Sequence, residues 1–319
     1  MKSETPLVSI WSITYNHVKF IKDCLEGVLS QKTNFKYELI IGDDASTDGT
    51  SEILREYAAK YPEIIKPIIH KSNVGVYKNS FETVLPRLTG KYIAICEGDD
   101  YWTDPYKLQK QVDFLEANPV YGLVYTDVDR YFQNTGKIEK SVFKNILGYK
   151  ENTFEDFLIN GWWLAPCTWM IRRDTLFQLP SYPLDFRVGD YPLLLSLSRF
   201  SKVGFISEIT AVYRVLQKSL SRENSGFRFE YYFRKDILDI QLYFCKKYGV
   251  SSLVLENIYA KYYSGVINNA LLLQDKAVYS KAYKYLEDRK ILSIKSRLLL
   301  YAVKWPILLR ILVKIFRTG

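Results

Sequence analysis

The sequence predicts an α/β protein with a mostly parallel sheet flanked by helices and with a helical C-terminal extension. Over the N-terminal third, apolar runs of strand length alternate with segments whose apolar residues recur at helical spacing. Alternating strands and helices of this kind form parallel sheets. From residue 227 to residue 289 the pattern is helical, with almost no turn residues. The 319 residues, 48% apolar and 25% charged, indicate a globular chain of about two units.

Each predicted element has a local signal. Residues 8–14 are a short apolar run that fits a buried strand, and residues 17–31 place apolar side chains at helical spacing. Pro62 ends the second predicted helix, because proline cannot continue the helical hydrogen bonds. Asp104 and Pro105 form an N-cap followed by a first-turn proline. The predicted strands are 8–14, 37–41, 64–69 and 92–96, and the predicted helices are 17–31, 50–61, 78–88, 104–117 and 191–199.

The basic residues are concentrated at the C-terminal end of the chain. The net charge is +9, but residues 289–319 carry eight lysines or arginines and no acidic residue, which leaves +1 for residues 1–288. Because the cations lie in an apolar tail rather than on the body, the pattern argues against a nucleic-acid-binding protein. Arg310, Lys314 and Arg317 follow at i, i+4 and i+7 as one basic stripe on a mostly apolar helix. This is typical of a helix lying in the plane of an anionic membrane surface, and a hairpin packed on the body is the alternative.

The sequence also carries signals about location. The four cysteines are far apart and form no CxxC pair, which suits reduced core residues of a cytoplasmic protein. The N-terminus does not have the pattern of a signal peptide, and no run of about 18 apolar residues supports a spanning helix. We therefore expect a cytoplasmic protein held peripherally on the inner face of the plasma membrane.

Two acidic loops follow the second and fourth predicted strands. One contains Asp43 and Asp44, and the other contains Glu97, Asp99 and Asp100. Ligands of doubly wound sheets bind at the carboxyl ends of the strands, and paired carboxylates there suit Mg²⁺ or Mn²⁺. Turns and helix caps are the structural alternative. The absence of GxGxxG and GxxxxGK[ST] disfavours dinucleotide binding and P-loop chemistry.

These motifs in this order resemble the inverting glycosyltransferases of family 2, which have the GT-A fold. The resemblance rests on VSIWSITYN, DDASTDGT and GKYIAICEGDD and extends over residues 6–222. It implies that Asp44 contacts the uracil of a UDP-sugar, that Asp99 lies near the ribose, and that Asp100 binds the metal, with Asp99 as a candidate second ligand. It leaves the second protein ligand open, because Glu97-Gly98-Asp99 stands where many relatives have Asp-x-Asp. The other implied nucleotide-binding residues are Thr14, Asn16 and Asp43.

The resemblance also implies one catalytic carboxylate on the acceptor side. Displacement with inversion needs a base for the acceptor hydroxyl, and Asp190 matches the family's Gly-Asp motif; a helix N-cap is its structural alternative. Arg187 could orient Asp190 or contact phosphate. Arg214 matches the family's Tyr-Arg element. The histidine that often follows is missing here, so either Arg214 or Lys218 is expected to neutralise phosphate instead. Trp162 and Trp163 are expected to stack on the acceptor, with aromatic core as the alternative.

The sequence thus indicates a glycosyltransferase that uses a UDP-sugar and Mn²⁺ or Mg²⁺ to extend a surface polysaccharide or a lipid-linked oligosaccharide. The expected domains are a glycosyltransferase domain at 1–222, with a nucleotide-binding half at 1–120 and an acceptor half at 121–222, a helical extension at 223–288 and a membrane-associating tail at 289–319. A sugar-phosphate nucleotidyltransferase is disfavoured, because residues 9–20 contain no glycine. A non-enzymatic basic binding protein and a catalytically inactive relative are the remaining alternatives.

Overall fold

A single mixed sheet organises the N-terminal two thirds of the chain. The computed structural model describes residues 5–147, 152–161, 164–183, 186, 188–216, 227–294 and 296–298. The strands are β1 (Val8–Thr14), β2 (Tyr37–Asp43), β3 (Ile65–Ile69), β4 (Tyr92–Ile95), β5 (Tyr101–Trp102), β6 (Tyr121–Phe132), β7 (Ile138–Glu139), β8 (Trp169–Arg172) and β9 (Lys202–Val215). The α-helices are α1 (Ile21–Leu29), α2 (Thr50–Lys60), α3 (Lys107–Ala117), α4 (Val142–Leu147), α5 (Phe154–Asn160), α6 (Arg173–Phe177), α7 (Asp190–Phe200), α8 (Phe227–Tyr248), α9 (Ser252–Leu272) and α10 (Lys276–Asp288).

The sheet is parallel over its first four strands and mixed beyond them. Its order in the described residues is β3-β2-β1-β4-β8-β6-β9-β5, with β7 paired to β6. The strands β3, β2, β1 and β4 run parallel, whereas β8 is antiparallel to β4 and to β6. The predicted α/β fold with a helical C-terminal region is confirmed. The antiparallel pairings beyond β4 lower the proportion of parallel strand pairs in the sheet.

The predicted strands of the N-terminal third are confirmed within two residues, but two predicted helices differ. The helix predicted at 17–31 begins only at Ile21, because residues 15–20 form a turn in which Asn16 has a φ of 55°. The helix predicted at 78–88 is a π-helical turn at Lys78–Val84 followed by a 3-10 turn at Leu85–Arg87. Pro86 lacks an N–H and cannot continue regular α-helical hydrogen bonds.

The chain divides into two compact units. The first consists of Met1–Phe157, Trp162–Asp185 and Gly189–Gln217, and the second of Leu158–Gly161, Phe186–Val188 and Lys218–Gly319. In the first unit, the parallel strands and α1 both contribute fully buried apolar side chains, among them Ile10 of β1 and Ile21, Leu25 and Val28 of α1. Burial of these side chains stabilises the sheet whose strand ends carry the acidic motifs.

The second unit is built from α8, α9 and α10. Tyrosine side chains dominate its core, where Tyr231 and Tyr263 are buried with Val266 and Ile267. The side chains of Ser251 and Asp275 cap the N-termini of α9 and α10 by accepting the N–H groups of residues 254 and 278. Within the described residues, no helix is both long enough and apolar enough to cross a membrane. The predicted tail helix at 307–317 lies outside the described residues.

Candidate active site

The two acidic motifs lie on either side of β1 at its carboxyl end. The N–H of Asp44 donates to the carbonyl oxygen of Thr14 over 3.0 Å, and the N–H of Gly98 donates to that of Ile13 over 3.0 Å. This follows from the strand order, since β1 pairs with β2 on one edge and with β4 on the other. Motifs that are far apart in the sequence therefore share the edge at which such sheets bind ligands.

Asp43 and Asp44 are adjacent but have different surroundings. Asp43 is fully buried, and its carboxylate accepts hydrogen bonds from the hydroxyls of Ser46 and Ser51. The carboxylate of Asp44 instead accepts the N–H groups of Val74 at 2.6 Å and Gly75 at 3.0 Å. Asp43 therefore organises its own loop, whereas Asp44 joins that loop to the segment after β3.

The turn after β1 is tied to the same loop. The N–H of Asn16 donates to Oγ of Ser46, and its side-chain oxygen accepts the N–H of Thr47, each over 2.9 Å. Asparagine suits this position because it tolerates a left-handed backbone. Thr14 is buried, with its hydroxyl 3.2 Å from Nδ1 of His17. Thr14 and Asn16 thus lie at the strand end that also carries Asp44.

The second motif forms a cluster of three carboxylates. One oxygen from each of Glu97, Asp99 and Asp100 lies within 4.8 Å of the others. Asp100 is 1% exposed; its Oδ1 accepts the N–H of Arg214 over 2.7 Å, while its buried Oδ2 has no hydrogen-bond partner among the described residues. Glu97, which replaces the first aspartate of the common motif, is thus close enough to act as a further ligand.

The electrostatics of this cluster favour a cation. Burial, followed by the charges of Asp99 and Glu97, raises the pKa of Asp100 well above its ordinary value. Burial, with the charges of Asp99 and Asp190, raises the pKa of Glu97 to about 8. Carboxylates removed from water and crowded together resist ionisation unless positive charge is supplied. Three oxygen donors and one unpartnered buried oxygen fit a hard divalent cation such as Mg²⁺ or Mn²⁺.

Gly98 allows the acidic loop to approach β1. A Cβ atom at this position would lie 2.5 Å from Oγ1 and 2.7 Å from Cβ of Thr14. Real Cβ atoms do not reach such distances, so any other residue would displace either the loop or the end of β1. The glycine between Glu97 and Asp99 is therefore explained by close packing.

Asp190 is the first residue of α7 and lies near the acidic cluster. Its charge is one of those that raise the pKa of Glu97. The N–H of Tyr191 donates to its Oδ1 over 2.8 Å, but the N-cap of α7 is Gly189, so the N-cap alternative for Asp190 is wrong. A Cβ atom at the preceding Gly189 would touch the ring of Phe81 at 3.7 Å, and that ring stacks on Tyr77 with centroids 5.3 Å apart.

Three nitrogens of the Arg214 guanidinium group donate to protein groups. Its Nε donates to the carbonyl oxygen of Asp99 over 2.8 Å, Nη1 to Oε1 of Gln133 over 2.9 Å, and Nη2 to Oδ2 of Asp23 over 2.6 Å. Arg214 thus lies beside the acidic cluster, and its contact with phosphate stays a prediction. Arg187, Trp162 and Trp163 lie outside the described residues.

Several residues of this site were missed by sequence reasoning. The N–H groups of Val74 and Gly75 and the side chains of Asp23 and Gln133 reach the motifs through the fold and belong to no motif. The only available signal was the Asn73-Val74-Gly75 turn pattern, which lies close after the third strand. Glu97 stands in the predicted acidic loop, but the common Asp-x-Asp pattern does not mark a glutamate as a ligand.

The parallel half-sheet with acidic loops at its strand ends defines a GT-A-type protein. The sequence matches the family described as Glycosyl transferase family 2 over residues 9–178, and the chain belongs to this family. A protein of Bacillus subtilis named for teichuronic acid biosynthesis, TuaG, is 31% identical over 69% of this chain and 84% of its own length. A Mycobacterium tuberculosis protein is 37% identical over 65% of this chain, and the match spans only 58% of that protein.

Solved structures share the fold at low sequence identity. S. aureus TarS 1–349 in complex with UDP-GlcNAc has a TM-score of 0.64 at 17% identity, covering 98% of this chain and 92% of that one. The mannosyltransferase PcManGT of Pyrobaculum calidifontis, in complex with GDP-Man and Mn²⁺, has a TM-score of 0.59 at 17% identity, covering 98% and 86%. At this identity the similarity establishes the fold alone.

Proposed function

We propose that this protein is an inverting glycosyltransferase that moves a sugar from a UDP-sugar to an acceptor hydroxyl. The observation that carries the proposal is the proximity of Asp190 to the carboxylates of Glu97, Asp99 and Asp100 at the carboxyl end of the sheet. A single-displacement transfer needs these two parts together: a site that binds the diphosphate leaving group and a base on the acceptor side.

Asp190 is the proposed base. It accepts the proton of the acceptor hydroxyl as that oxygen attacks the anomeric carbon and the bond to the nucleoside diphosphate breaks. A general acid is not required, because a phosphate oxygen titrates near ~6 and leaves as an anion. Inverting glycosidases differ in this respect, since their sugar leaving group must be protonated. One carboxylate on the acceptor side is therefore sufficient.

The proposed metal ligands are Asp100 and Asp99, with Glu97 as a further candidate. Mg²⁺ or Mn²⁺ bound there would neutralise the charge that develops on the diphosphate. Asp44, held by the N–H groups after β3, is proposed to contact the nucleobase, and Thr14, Asn16 and Asp43 to shape its pocket. The UDP-GlcNAc complex of TarS supports a uridine nucleotide, and the Mn²⁺ complex of PcManGT supports a divalent cation.

The proposed acceptor is a growing surface polysaccharide or a lipid-linked oligosaccharide. The name of TuaG, a relative at 31% identity, refers to the synthesis of such a polymer. The cationic tail at 289–319 would hold the enzyme peripherally on the inner face of the plasma membrane, where a lipid-linked acceptor diffuses in two dimensions.

A donor screen tests this function. The full chain is incubated with Mn²⁺ and a panel of UDP-, GDP- and dTDP-sugars, and release of the nucleoside diphosphate is measured. We expect release from a UDP-sugar that is abolished by EDTA and restored by Mn²⁺ or Mg²⁺. Formation of a sugar nucleotide from UTP and a sugar 1-phosphate, without transfer from any sugar nucleotide, would instead identify a nucleotidyltransferase.

A further inference from the structure

We propose that Arg214 is a positioning residue that sets the orientation of the metal-binding carboxylates. This inference rests on the proposed function, because it assumes that Asp99 and Asp100 hold the cation. It assigns Arg214 a role through protein groups rather than through the donor phosphate.

Arg214 contacts the acidic motif twice. Its backbone N–H donates to Oδ1 of Asp100 over 2.7 Å, and its Nε donates to the carbonyl oxygen of Asp99 over 2.8 Å. That carbonyl belongs to the peptide that joins Asp99 to Asp100. One residue of β9 therefore fixes both the peptide and the side chain of Asp100, although the two segments are far apart in the sequence.

The contact to Oδ1 determines which oxygen of Asp100 is left for a ligand. Oδ2 is buried and has no hydrogen-bond partner among the described residues. A carboxylate with one oxygen held by an N–H and the other unpartnered is already oriented for a cation. Outer-shell hydrogen bonds of this kind fix the orientation of metal ligands.

The guanidinium is itself held rigidly. Its Nη1 and Nη2 donate to Gln133, directly after β6, and to Asp23 on α1, and its side chain is 6% exposed. The rings of Phe20 and Tyr101 lie 4.8 and 4.9 Å from its central carbon. Arginine suits this place because its planar fork donates in several fixed directions while its face stacks on aromatic rings. Lysine has one ammonium group and cannot make these contacts together.

The test compares Arg214→Lys with the wild type by direct Mn²⁺ binding. Free Mn²⁺ is measured by electron paramagnetic resonance in titrations of the full chain with saturating UDP, and UDP affinity is measured separately in EDTA. Arg214→Lys keeps the positive charge and the backbone N–H but loses the bond from Nε to Asp99. We expect Mn²⁺ affinity to fall about 10- to 100-fold, with metal-free UDP affinity unchanged. Arg130→Lys is the matched control, because Arg130 forms its ion pair with Glu139 on β7.

Asp23→Asn tests the same role while leaving residue Arg214 itself unchanged. Asp23 is 55% exposed in its side chain, so this variant is expected to fold, and it should weaken Mn²⁺ binding in the same direction but by less. Unchanged Mn²⁺ affinity in Arg214→Lys would overturn the inference while leaving the metal site in place. Equal loss of UDP affinity with and without metal would also overturn it, in favour of a phosphate contact. A wild type that binds no Mn²⁺ would remove the proposed metal site and this inference together.

Discussion

Neighbouring carboxylates in this protein have different tasks because their hydrogen-bond partners differ. Asp43 accepts hydrogen bonds from a serine hydroxyl of its own loop and from one in the first turn of α2, whereas Asp44 accepts two backbone N–H groups beyond β3. Asp100 is buried with one oxygen engaged and the other without a partner in the described residues. The sequence can place such pairs at strand ends, but which member of a pair is structural depends on groups that the fold brings from elsewhere.

The oriented carboxylate of Asp100 leads to a prediction about the metal. Asp100→Asn replaces a charged ligand by a neutral amide. Mn²⁺ affinity should therefore fall by at least ~10-fold, which is the smallest loss expected for an outer-shell substitution, and most turnover should be lost. Isothermal titration with Mn²⁺ and nucleotide release measure the two effects. Asp113→Asn, at an exposed position of α3, is the matched control. Full activity of Asp100→Asn in excess EDTA would remove this site from the mechanism.

Asp190 provides a prediction that separates a base from a purely structural carboxylate. Asparagine retains the side-chain oxygen that accepts the N–H of Tyr191 at the start of α7, but it cannot accept the acceptor proton. We expect kcat to fall by ~10²–10⁴ with UDP affinity unchanged. Asp174→Asn, in the first turn of α6, controls for loss of a charge at a helix start. Retained kcat in Asp190→Asn would show that Asp190 is not the base.

Gly98 gives a steric prediction at the same site. Gly98→Ala would place a methyl group 2.5 Å from Oγ1 of Thr14, so the acidic loop must move away from β1. We expect weaker Mn²⁺ binding and a loss of stability of ~1–3 kcal/mol, as for other overpacked sites. Chemical unfolding and Mn²⁺ titration measure these changes. Gly265→Ala is the control, since its new methyl group meets only the flexible end of Arg234. Wild-type Mn²⁺ affinity in Gly98→Ala would show that this packing does not set the site.

At the scale of elements, the periodicity of apolar residues best predicted those helices and strands that are held in place by burial of their apolar side chains. β1 and α3 end where the sequence predicts, because each combines an apolar pattern with clear boundary residues. The π-helical turn at Lys78–Val84 could not be predicted, since its apolar spacing resembles that of an α-helix. The antiparallel strands beyond β4 were also missed, because pairing direction depends on contacts between distant segments.

Helix α3 carries a buried lysine whose titration makes the stability of the folded protein depend on pH. Lys107 has no solvent exposure, donates to Oε1 of Gln111 over 2.5 Å and lies 4.5 Å from the ring centre of Trp102. Burial lowers the pKa of Lys107 to about 7. At pH values above this pKa, Lys107 is deprotonated in the folded protein. In the unfolded chain the same side chain stays protonated up to its ordinary pKa of about 10.4. The free energy of unfolding should therefore rise with pH between these two values.

The prediction is tested by comparing the wild type with Lys107→Met. Between about pH 8 and 10 the difference in unfolding free energy between the two proteins should shift in favour of the wild type by up to ~1.4 kcal/mol for each pH unit. Urea unfolding at several pH values gives this difference, and the comparison cancels other groups that titrate in the same range. A constant difference across this range would mean that Lys107 stays charged in the folded protein.

On the scale of the whole molecule, the distribution of charge separates the tail from the body. Residues 289–319 contribute eight positive charges, whereas residues 1–288 contribute a net +1. At the start of the tail, the apolar side chains of Ile291, Ile294 and Leu298 are exposed, with Ile294 78% exposed. Each cation near an anionic leaflet contributes ~1 kcal/mol, and apolar insertion adds to this. The full chain should therefore co-sediment with anionic liposomes, and high salt should release it only in part.

Charge reversal in the full chain gives this prediction a specific control. Changing Arg310, Lys314 and Arg317 to glutamate removes the predicted basic stripe and should abolish co-sedimentation with anionic vesicles. UDP binding should persist, because those residues lie outside residues 9–178, which match the glycosyltransferase family.

The control variant reverses three exposed cations of α10, Lys276, Lys281 and Lys284, and so matches the change in net charge. It should bind vesicles nearly as well as the wild type if the tail provides the contact. If both variants lost vesicle binding to the same extent, binding would depend on net charge alone and not on the tail. No binding by the wild type would favour a tail hairpin packed on the body, since apolar surface that is already buried has no reason to enter a bilayer.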